Sequence, residues 1–219
     1  FQFSRSFIFV LFLECYFCFS GWLFLSIFLV ARSLAVFNSA KMFNHSLSAW
    51  DVSKVTTLRS TFYGTTVFTS DLSTWDVSKV TTLENTFNGA RVFNSDLSTW
   101  DVSKVTTLKD TFRSAQKFNS DISTWDVSKV TTLEGTFSYA NKFNSDLFTW
   151  DVSKVTSLKS TFRCDNRDAH AFNSNISTWD VSRVISLEGT FSGTNAFNSD
   201  LSTWDVSSVT TLTDTFSQA

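Results

Sequence analysis

The amino-acid sequence predicts an α/β repeat solenoid, in which each coil contains one short parallel strand and one short helix. The tetrapeptide Trp-Asp-Val-Ser occurs seven times, with its tryptophan at positions 50, 75, 100, 125, 150, 179 and 204. Five of the intervals are 25 residues and one is 29 residues, and so short a fixed period indicates a small unit stacked along an axis. The chain of 219 residues has 25 Phe and no Pro, which favours a continuous aromatic core over disorder.

The predicted strand is the segment around each tryptophan. In one copy, the apolar Trp100 and Val102 alternate with the polar Thr99 and Asp101, which is the period of a half-buried strand. We therefore expect Trp100 and Val102 to point into the core and Thr99 and Asp101 to face solvent. Strands of successive coils would lie in parallel, about 4.7–4.9 Å apart, and would stack the tryptophans on one another.

The predicted helix follows the strand. Val105, Leu108 and Phe112 lie at positions i, i+3 and i+7, a spacing that places them on one face of a short helix. Ser103 and its equivalents precede this segment in every copy, and serine is a favourable N-cap because its oxygen accepts a hydrogen bond from the first turn. The following Phe-Asn-Ser-Asp predicts a turn, in which Asn94 and its equivalents bond backbone within or between coils.

The repeat also carries a family resemblance. The pattern Leu-x-x-Trp-x-Val-Ser-x-Val-x-x-Leu-x-x-Thr-Phe-x-x-Ala-x-x-Phe resembles the leucine-rich-repeat class, and Phe-Asn-Ser-Asp-Leu-Ser-Thr-Trp-Asp-Val-Ser-Lys-Val-Thr is similar to the BspA-like surface proteins, a Mycoplasma lipoprotein repeat family of unknown function. The resemblance covers residues 34–219 and implies a cell-surface or secreted protein with a role in adhesion. The family commonly has Met where this chain has Leu108 and Thr111. Leu preserves core volume at such a site, whereas Thr does not.

The N-terminal 30 residues differ from the repeats, and the sequence divides into residues 1–30 and a solenoid over 31–219. Phe7–Val30 is almost wholly apolar, with Glu14 as its only charge, and its length suits a membrane anchor or, with Ser33-Leu34-Ala35 as the cleavage site, a signal peptide. The alternative is a degenerate first coil, because four residues of the segment fall on the repeat's apolar columns: Trp22, Leu25, Ile27 and Val30. The expected location is the cell surface, with the protein membrane-anchored or secreted.

Stacking of such coils predicts two exposed ladders beside the tryptophans, which we call the candidate binding face. It comprises Thr74, Asp76, Thr99, Asp101, Thr124, Asp126, Thr149, Asp151, Thr178, Asp180, Thr203 and Asp205. Aspartates on neighbouring strands repel one another, and a column of Lys and Arg three positions later offers the balancing charge. Binding of Ca²⁺ by the aspartates is an alternative, since Ca²⁺ prefers oxygen ligands. No Asp-x-Asp-x-Asp-Gly loop is present, and we expect no cofactor.

A four-residue insertion interrupts the period at residues 163–171. Insertions in solenoids map to surface loops, and a tolerated loop is the expected structure. A metal site formed by Cys164, Asp165, Asp168 and His170 is the alternative, although the spacing matches no standard zinc pattern.

The composition argues against two functional classes. The formal net charge is −2, with 18 basic and 20 acidic side chains, so nothing in it indicates nucleic-acid binding. No nucleophile-elbow, P-loop or zinc motif is present, and the sequence predicts a protein that is not an enzyme. The expected function is adhesion or recognition of an extracellular protein or glycan through the candidate binding face, with membrane attachment by the N-terminal segment. The alternatives are a structural spacer or surface-layer scaffold, and a cation- or ice-binding surface, with cations on the aspartate ladder and ice on Thr-Thr pairs such as Thr106-Thr107.

Overall fold

The computed structural model describes residues 35–164 and 171–219, and these residues form a stack of coils around one apolar core. Successive coils are joined by backbone hydrogen bonds between residues about one repeat apart, such as Leu83 N to Thr107 O at 3.3 Å and Phe87 N to Thr111 O at 2.9 Å. The core cluster runs without a break from Phe37 to Phe191. The stacked repeat predicted from the period is therefore present.

The predicted α/β coil of strand and helix is wrong. The described residues contain no α-helix, and their strand-like pairing is limited to isolated bridges. Three parallel bridges join four consecutive coils through Thr132, Ser157, Ser186 and Thr211, which lie after the segment that was expected to be the strand. The leucine-rich-repeat-like arrangement of a parallel sheet opposite a row of helices is accordingly absent from the described part of the chain.

Tight turns replace the predicted strand. The amide of Trp100 donates to Leu97 O at 3.1 Å, and the amide of Val105 donates to Val102 O at 2.8 Å, so two turns follow each other closely. Ser103 is not a helix N-cap: its amide donates to Asp101 Oδ1 at 3.0 Å. Aspartate and serine side chains that bond the nearby backbone favour such turns over extended structure.

A ladder of turns also replaces the predicted helix. Between Leu108 and Ser114, every second amide donates to the next coil at 2.7–3.3 Å. Of the intervening amides, those of Thr111 and Arg113 donate to the carbonyl three residues earlier in the same coil, and that of Lys109 donates to Thr107 Oγ1. Asp110 and Ser114 have left-handed φ values of 51° and 57°. A right-handed helix cannot continue through such residues, which explains why an apolar spacing typical of a helix folds differently here.

Three columns of stacked aromatic rings fill the core. Phe112 stacks on Phe118 in its own coil with ring centroids 3.8 Å apart, and on Phe137 in the next coil at 5.8 Å. Trp100 stacks on Trp125 at 6.4 Å with an angle of 2° between the ring planes. Ring pairs of this kind add stability beyond the area that they bury, and their small interplanar angles mean that successive coils are almost superposed.

Polar groups inside the core also join coils. Thr111 is 0% exposed, and its hydroxyl lies 2.8 Å from Leu108 O in its own coil and 3.0 Å from Leu83 O in the preceding coil. The indole Nε1 of Trp100 donates to Leu72 O at 3.1 Å. The threonine that replaces the family's methionine thus gives up apolar volume but gains a hydrogen bond that spans two coils.

Two of the sequence-based interpretations lie outside the described residues. They are the anchor, signal peptide or first coil at residues 1–30, and the metal site at the insertion, of which residues 165–170 are not described. Within the parts of the chain that the structure describes, no helix has the length and apolar character needed to cross a membrane.

Candidate functional site

The candidate binding face is exposed along the whole stack. All twelve of its Thr and Asp side chains are exposed. The side chains that alternate with them, such as Trp100 and Val102 at 3% and 1% exposure, are buried in every coil but the last, where Trp204 is partly exposed and Val206 is exposed. The inward and outward directions expected from the sequence are therefore correct, although a turn rather than a strand produces them. The face forms one row per coil over six consecutive coils.

The threonines of the face are tied to the coil before them. Thr99 Oγ1 donates to Ser73 O at 2.8 Å, and the other five threonine hydroxyls make the equivalent bond at 2.7–3.0 Å. Each hydroxyl proton is thus used within the protein, and the oxygen lone pairs remain available as acceptors. The threonine ladder is consequently a rigid row of acceptors.

The aspartates of the face are fixed by turns of their own. Asp101 Oδ1 accepts the amide of Ser103 at 3.0 Å, and the equivalent bond recurs at the same distance in every coil. The hydroxyl and amide of Ser103 hold the pKa of Asp101 below its ordinary value, and Lys104 lowers it further, whereas the charge of Asp126 raises it. The turn bond thus favours the ionised form of Asp101, and the equivalent bonds hold all the carboxylates of the face in a fixed direction.

A column of basic residues runs beside these aspartates. It consists of the exposed Lys54, Lys79, Lys104, Lys129, Lys154 and Arg183, which we call the basic stripe; the acidic stripe consists of Asp51, Asp76, Asp101, Asp126, Asp151, Asp180 and Asp205. Within the described residues, no member of the basic stripe forms an ion pair. The basic stripe thus offsets the charge of the acidic stripe through its proximity, and not through direct ion pairs.

A second polar edge lies at the Phe-Asn-Ser-Asp turn. Asn94 Oδ1 accepts the amide of Asn119 in the next coil at 2.7 Å, and Asp96 Oδ1 accepts the amide of Ser98 at 2.9 Å. Both bonds confirm the structural roles expected for these columns. A shallow groove of about 350 Å³ lies at this edge near the C-terminal end, lined by Asn173, Asn175, Ser177, Asn198, Ser199 and Asp200.

The sequence analysis missed a column of alternating charge. It consists of Arg59, Glu84, Lys109, Glu134, Lys159 and Glu188, and it pairs the coils two by two. The salt bridges Arg59–Glu84, Lys109–Glu134 and Lys159–Glu188 have N–O distances of 2.9–3.0 Å. This column could have been predicted from the sequence, because the charged residue that follows the core leucine alternates in sign from copy to copy.

The described residues offer no preformed metal centre. Among residues 35–164 and 171–219, no three His, Cys, Asp or Glu side chains come together in a way that could hold an ion. Cys164, from the proposed insertion site, is buried and 4% exposed. The calcium alternative on the acidic stripe therefore has no ligand cluster to support it here.

Comparison with known families identifies the repeat. The chain matches a family model described as Mycoplasma protein of unknown function, DUF285, in three overlapping stretches, residues 27–103, 67–167 and 149–219. No curated protein and no solved structure matches it. The chain belongs to this Mycoplasma repeat family of unknown function, while the BspA-like leucine-rich-repeat assignment stays a prediction.

Proposed function

We propose that this protein is a non-enzymatic adhesion or recognition module, which binds an extended extracellular protein or glycan through the candidate binding face. The observation that carries the proposal is the row of fixed, exposed Thr and Asp side chains that recurs in six consecutive coils. Side chains already held by backbone bonds lose little conformational entropy on binding, and such pre-organisation favours affinity.

The regularity of the face favours a partner that is itself extended and repetitive. Every row offers the same hydroxyl and carboxylate, as Thr99 and Asp101 do, and rows follow one another at about 4.8 Å if the coils keep strand spacing. One row provides few contacts, but many rows engaged together give avidity. A polysaccharide or an extended polypeptide has the required shape.

The proposed location is the cell surface, with the protein membrane-anchored or secreted through residues 1–30. The similarity of the repeat to BspA-like surface proteins supports this location, as does the apolar Phe7–Val30. The uniformity of the rows favours the alternative of a structural spacer or surface-layer scaffold, which needs no ligand. A cation- or ice-binding surface is a further alternative, whose signatures are cation-dependent melting and thermal hysteresis.

The deciding experiment is a binding screen of the chain against glycans and cell-surface extracts, with and without Ca²⁺. The test variant carries Asp76→Asn, Asp101→Asn and Asp126→Asn, which remove charge from the face but keep an oxygen that can cap the turn. The matched control carries the same change in the other acidic column, at Asp71, Asp96 and Asp121.

Loss of binding in the test variant, with binding retained in the control, is the expected result. Equal loss in both variants would point to a general charge effect and contradict recognition by the face. No binding under any condition would favour the spacer.

A further inference from the structure

We infer that the candidate binding face, together with the basic stripe beside it, binds a second copy of this chain side by side and with the same polarity. The inference rests on the proposed function, since it names a partner for the same surface. It is carried by two adjacent, exposed stripes of opposite charge that have no ion-pair partners within the described residues.

The two stripes run nearly straight along the stack. The ring planes of Trp100 and Trp125 are 2° apart, and those of Trp125 and Trp150 and of Trp179 and Trp204 are 4° apart. Coils that tilt so little against one another form a stack that bends little, and each column of side chains follows it. The seven aspartates therefore span about 29 Å, taken as six steps of strand spacing.

Symmetry decides how two copies pair. Across each row, the exposed residues are Thr99, Asp101, Lys104 and Thr106 in this order. A two-fold axis parallel to the stack, placed between the Asp and Lys columns, sets Asp against Lys or Arg on six of the seven rows, and Asp205 against Ser208 on the last. On five of the seven rows it also sets Thr against Thr, as with Thr99 and Thr106. A two-fold axis across the stack would set Asp against Asp, which is repulsive. Charge thus selects the arrangement in which both stacks point the same way.

A second copy also has the correct spacing. Opposite charges can pair along the whole stripe only if the charges of the partner are spaced at the same distance as successive coils. An identical chain has this spacing. Within one chain the like charges of a stripe repel: the bonds from Ser78 lower the pKa of Asp76, and the charge of Asp101 partly opposes this lowering, as the charge of Asp205 does for Asp180. An opposing stripe of lysines relieves this repulsion.

The neighbouring stripe argues against simpler polyionic partners. A polyanion that follows the lysines would lie beside seven aspartates, and a polycation on the aspartates would lie beside six basic side chains. Both would meet like charge within about 10 Å, the screening distance at 0.1 M salt. A surface that carries both stripes in mirrored order avoids this conflict.

The test is sedimentation velocity of the full chain at low and high salt, with two charge variants. Variant A carries Lys→Glu at 79, 104, 129 and 154, so that both of its stripes are acidic over these four coils. Variant B carries Asp→Asn at 76, 101, 126 and 151, which keeps the turn acceptor but leaves only the basic stripe charged over the same four coils. Circular dichroism checks that both variants fold.

We expect the natural chain to self-associate at low salt, with a dissociation constant that rises roughly tenfold or more at high salt. Variant A alone should be monomeric, variant B alone should associate more weakly than the natural chain, and an equal mixture of A and B should form a heterodimer. Association that is insensitive to salt and to both variants would place the contact elsewhere, for instance on the apolar N-terminal segment, and would overturn the inference.

Cross-linking tests the polarity. Chains with Asp126→Cys, mixed with chains with Lys129→Cys, should form a disulfide between unlike chains in greater yield than either chain forms with its own kind. The unaltered chain measures the background from its three native cysteines. Preferred pairing of Asp126→Cys with itself would indicate the antiparallel arrangement and refute the proposed one.

The two proposals fail separately. A natural chain that stays monomeric at low salt, but still binds glycans or cell-surface extracts, overturns self-association and leaves recognition in place. A chain that self-associates as expected, but binds nothing in the screen, leaves self-association in place and favours the scaffold.

Discussion

Replacing Ser160 by glycine should stabilise the protein. One residue per coil, two positions after the core leucine, has a left-handed φ between 51° and 62°. This column contains Ser60, Asn85, Asp110, Gly135, Ser160, Gly189 and Asp214. Serine is strained in this conformation, whereas glycine is not. The change keeps the backbone bond from Ser160 N to Glu188 O at 2.8 Å, so only the strain should be removed.

The expected gain follows from two opposing terms. The left-handed conformation costs a non-glycine residue about 1–2 kcal/mol. Glycine has more freedom in the unfolded chain, which returns about 0.5–1 kcal/mol of that gain. Ser160→Gly should therefore raise the free energy of unfolding by about 0.5–1 kcal/mol, which corresponds to roughly 1–4 °C in melting temperature for a chain of this size.

Neighbouring coils provide the controls. Gly189 has φ 60°, and an added Cβ would lie 3.4 Å from Ser160 Oγ, so Gly189→Ala should destabilise by about 1 kcal/mol. Asn85→Gly should not stabilise, because asparagine tolerates the left-handed region and its Oδ1 accepts a hydrogen bond from Asn88 Nδ2 at 2.8 Å that glycine cannot accept.

The assay is thermal and denaturant unfolding followed by circular dichroism, with hydrogen exchange of the amides between coils, because repeat arrays need not unfold in one step. A Ser160→Gly protein no more stable than the natural chain, or a Gly189→Ala protein of undiminished stability, would refute the reasoning.

Three further predictions concern the core, acid and surface charge. Trp100→Phe should lower the free energy of unfolding by about 1–3 kcal/mol, because it removes a hydrogen bond and leaves a cavity. The loss should be larger than that of Trp204→Phe, at the partly exposed end of the stack, and denaturant unfolding of the two variants measures the difference. Turn bonds from the following serines lower the pKa of Asp76, Asp101 and Asp126 in the folded chain. The stabilisation from these bonds is present above about pH 3.9, the ordinary aspartate pKa, and is lost as pH falls through the lowered folded pKa. Melting temperature measured against pH should fall in this acid range, and less steeply in Asp101→Asn. Glu134→Gln, which breaks the exposed pair with Lys109, should cost less than about 1 kcal/mol in the same unfolding assay, and a larger cost would mean that alternating charge is a main source of stability.

The sequence could predict which side chains face inward but not the backbone that directs them. Burial of Trp100 and Val102, and exposure of Thr99 and Asp101, follow from the alternation of apolar and polar residues, and tight turns satisfy that alternation as well as a strand does. The i, i+3, i+7 spacing was equally ambiguous. Residues with left-handed φ values decide the conformation of the segment that was predicted to be a helix. Their positions cannot be deduced from the hydrophobic pattern. The available signal was the placement of glycine, since Gly64, Gly89, Gly135, Gly189 and Gly193 all have left-handed φ values.

The candidate site was predictable in position but incomplete in its chemistry. The Thr and Asp ladders follow directly from the period, as do the basic residues beside them. That each threonine proton and one oxygen of each aspartate are already bonded could not be deduced without the backbone, because the partners are carbonyls and amides of turns, such as Ser73 O for Thr99. Because these groups are already bonded, the Thr and Asp ladders offer only hydrogen-bond acceptors to a partner, and they lie beside a row of basic side chains.

Pairing with the same polarity bears on the choice between recognition and scaffolding. A two-fold axis along the stack brings the same end of both molecules together, which suits chains displayed side by side on one surface rather than chains that bridge two surfaces. Uniform stripes also allow staggered registers, since a slip of one coil loses only one row of Asp–Lys contacts. Staggered pairs leave charged rows uncovered at each end, and those rows can accept another copy. Self-association through this face would thus extend along the stack axis, so that adhesion to an outside partner, where it occurs, would depend on the rows left free at the ends.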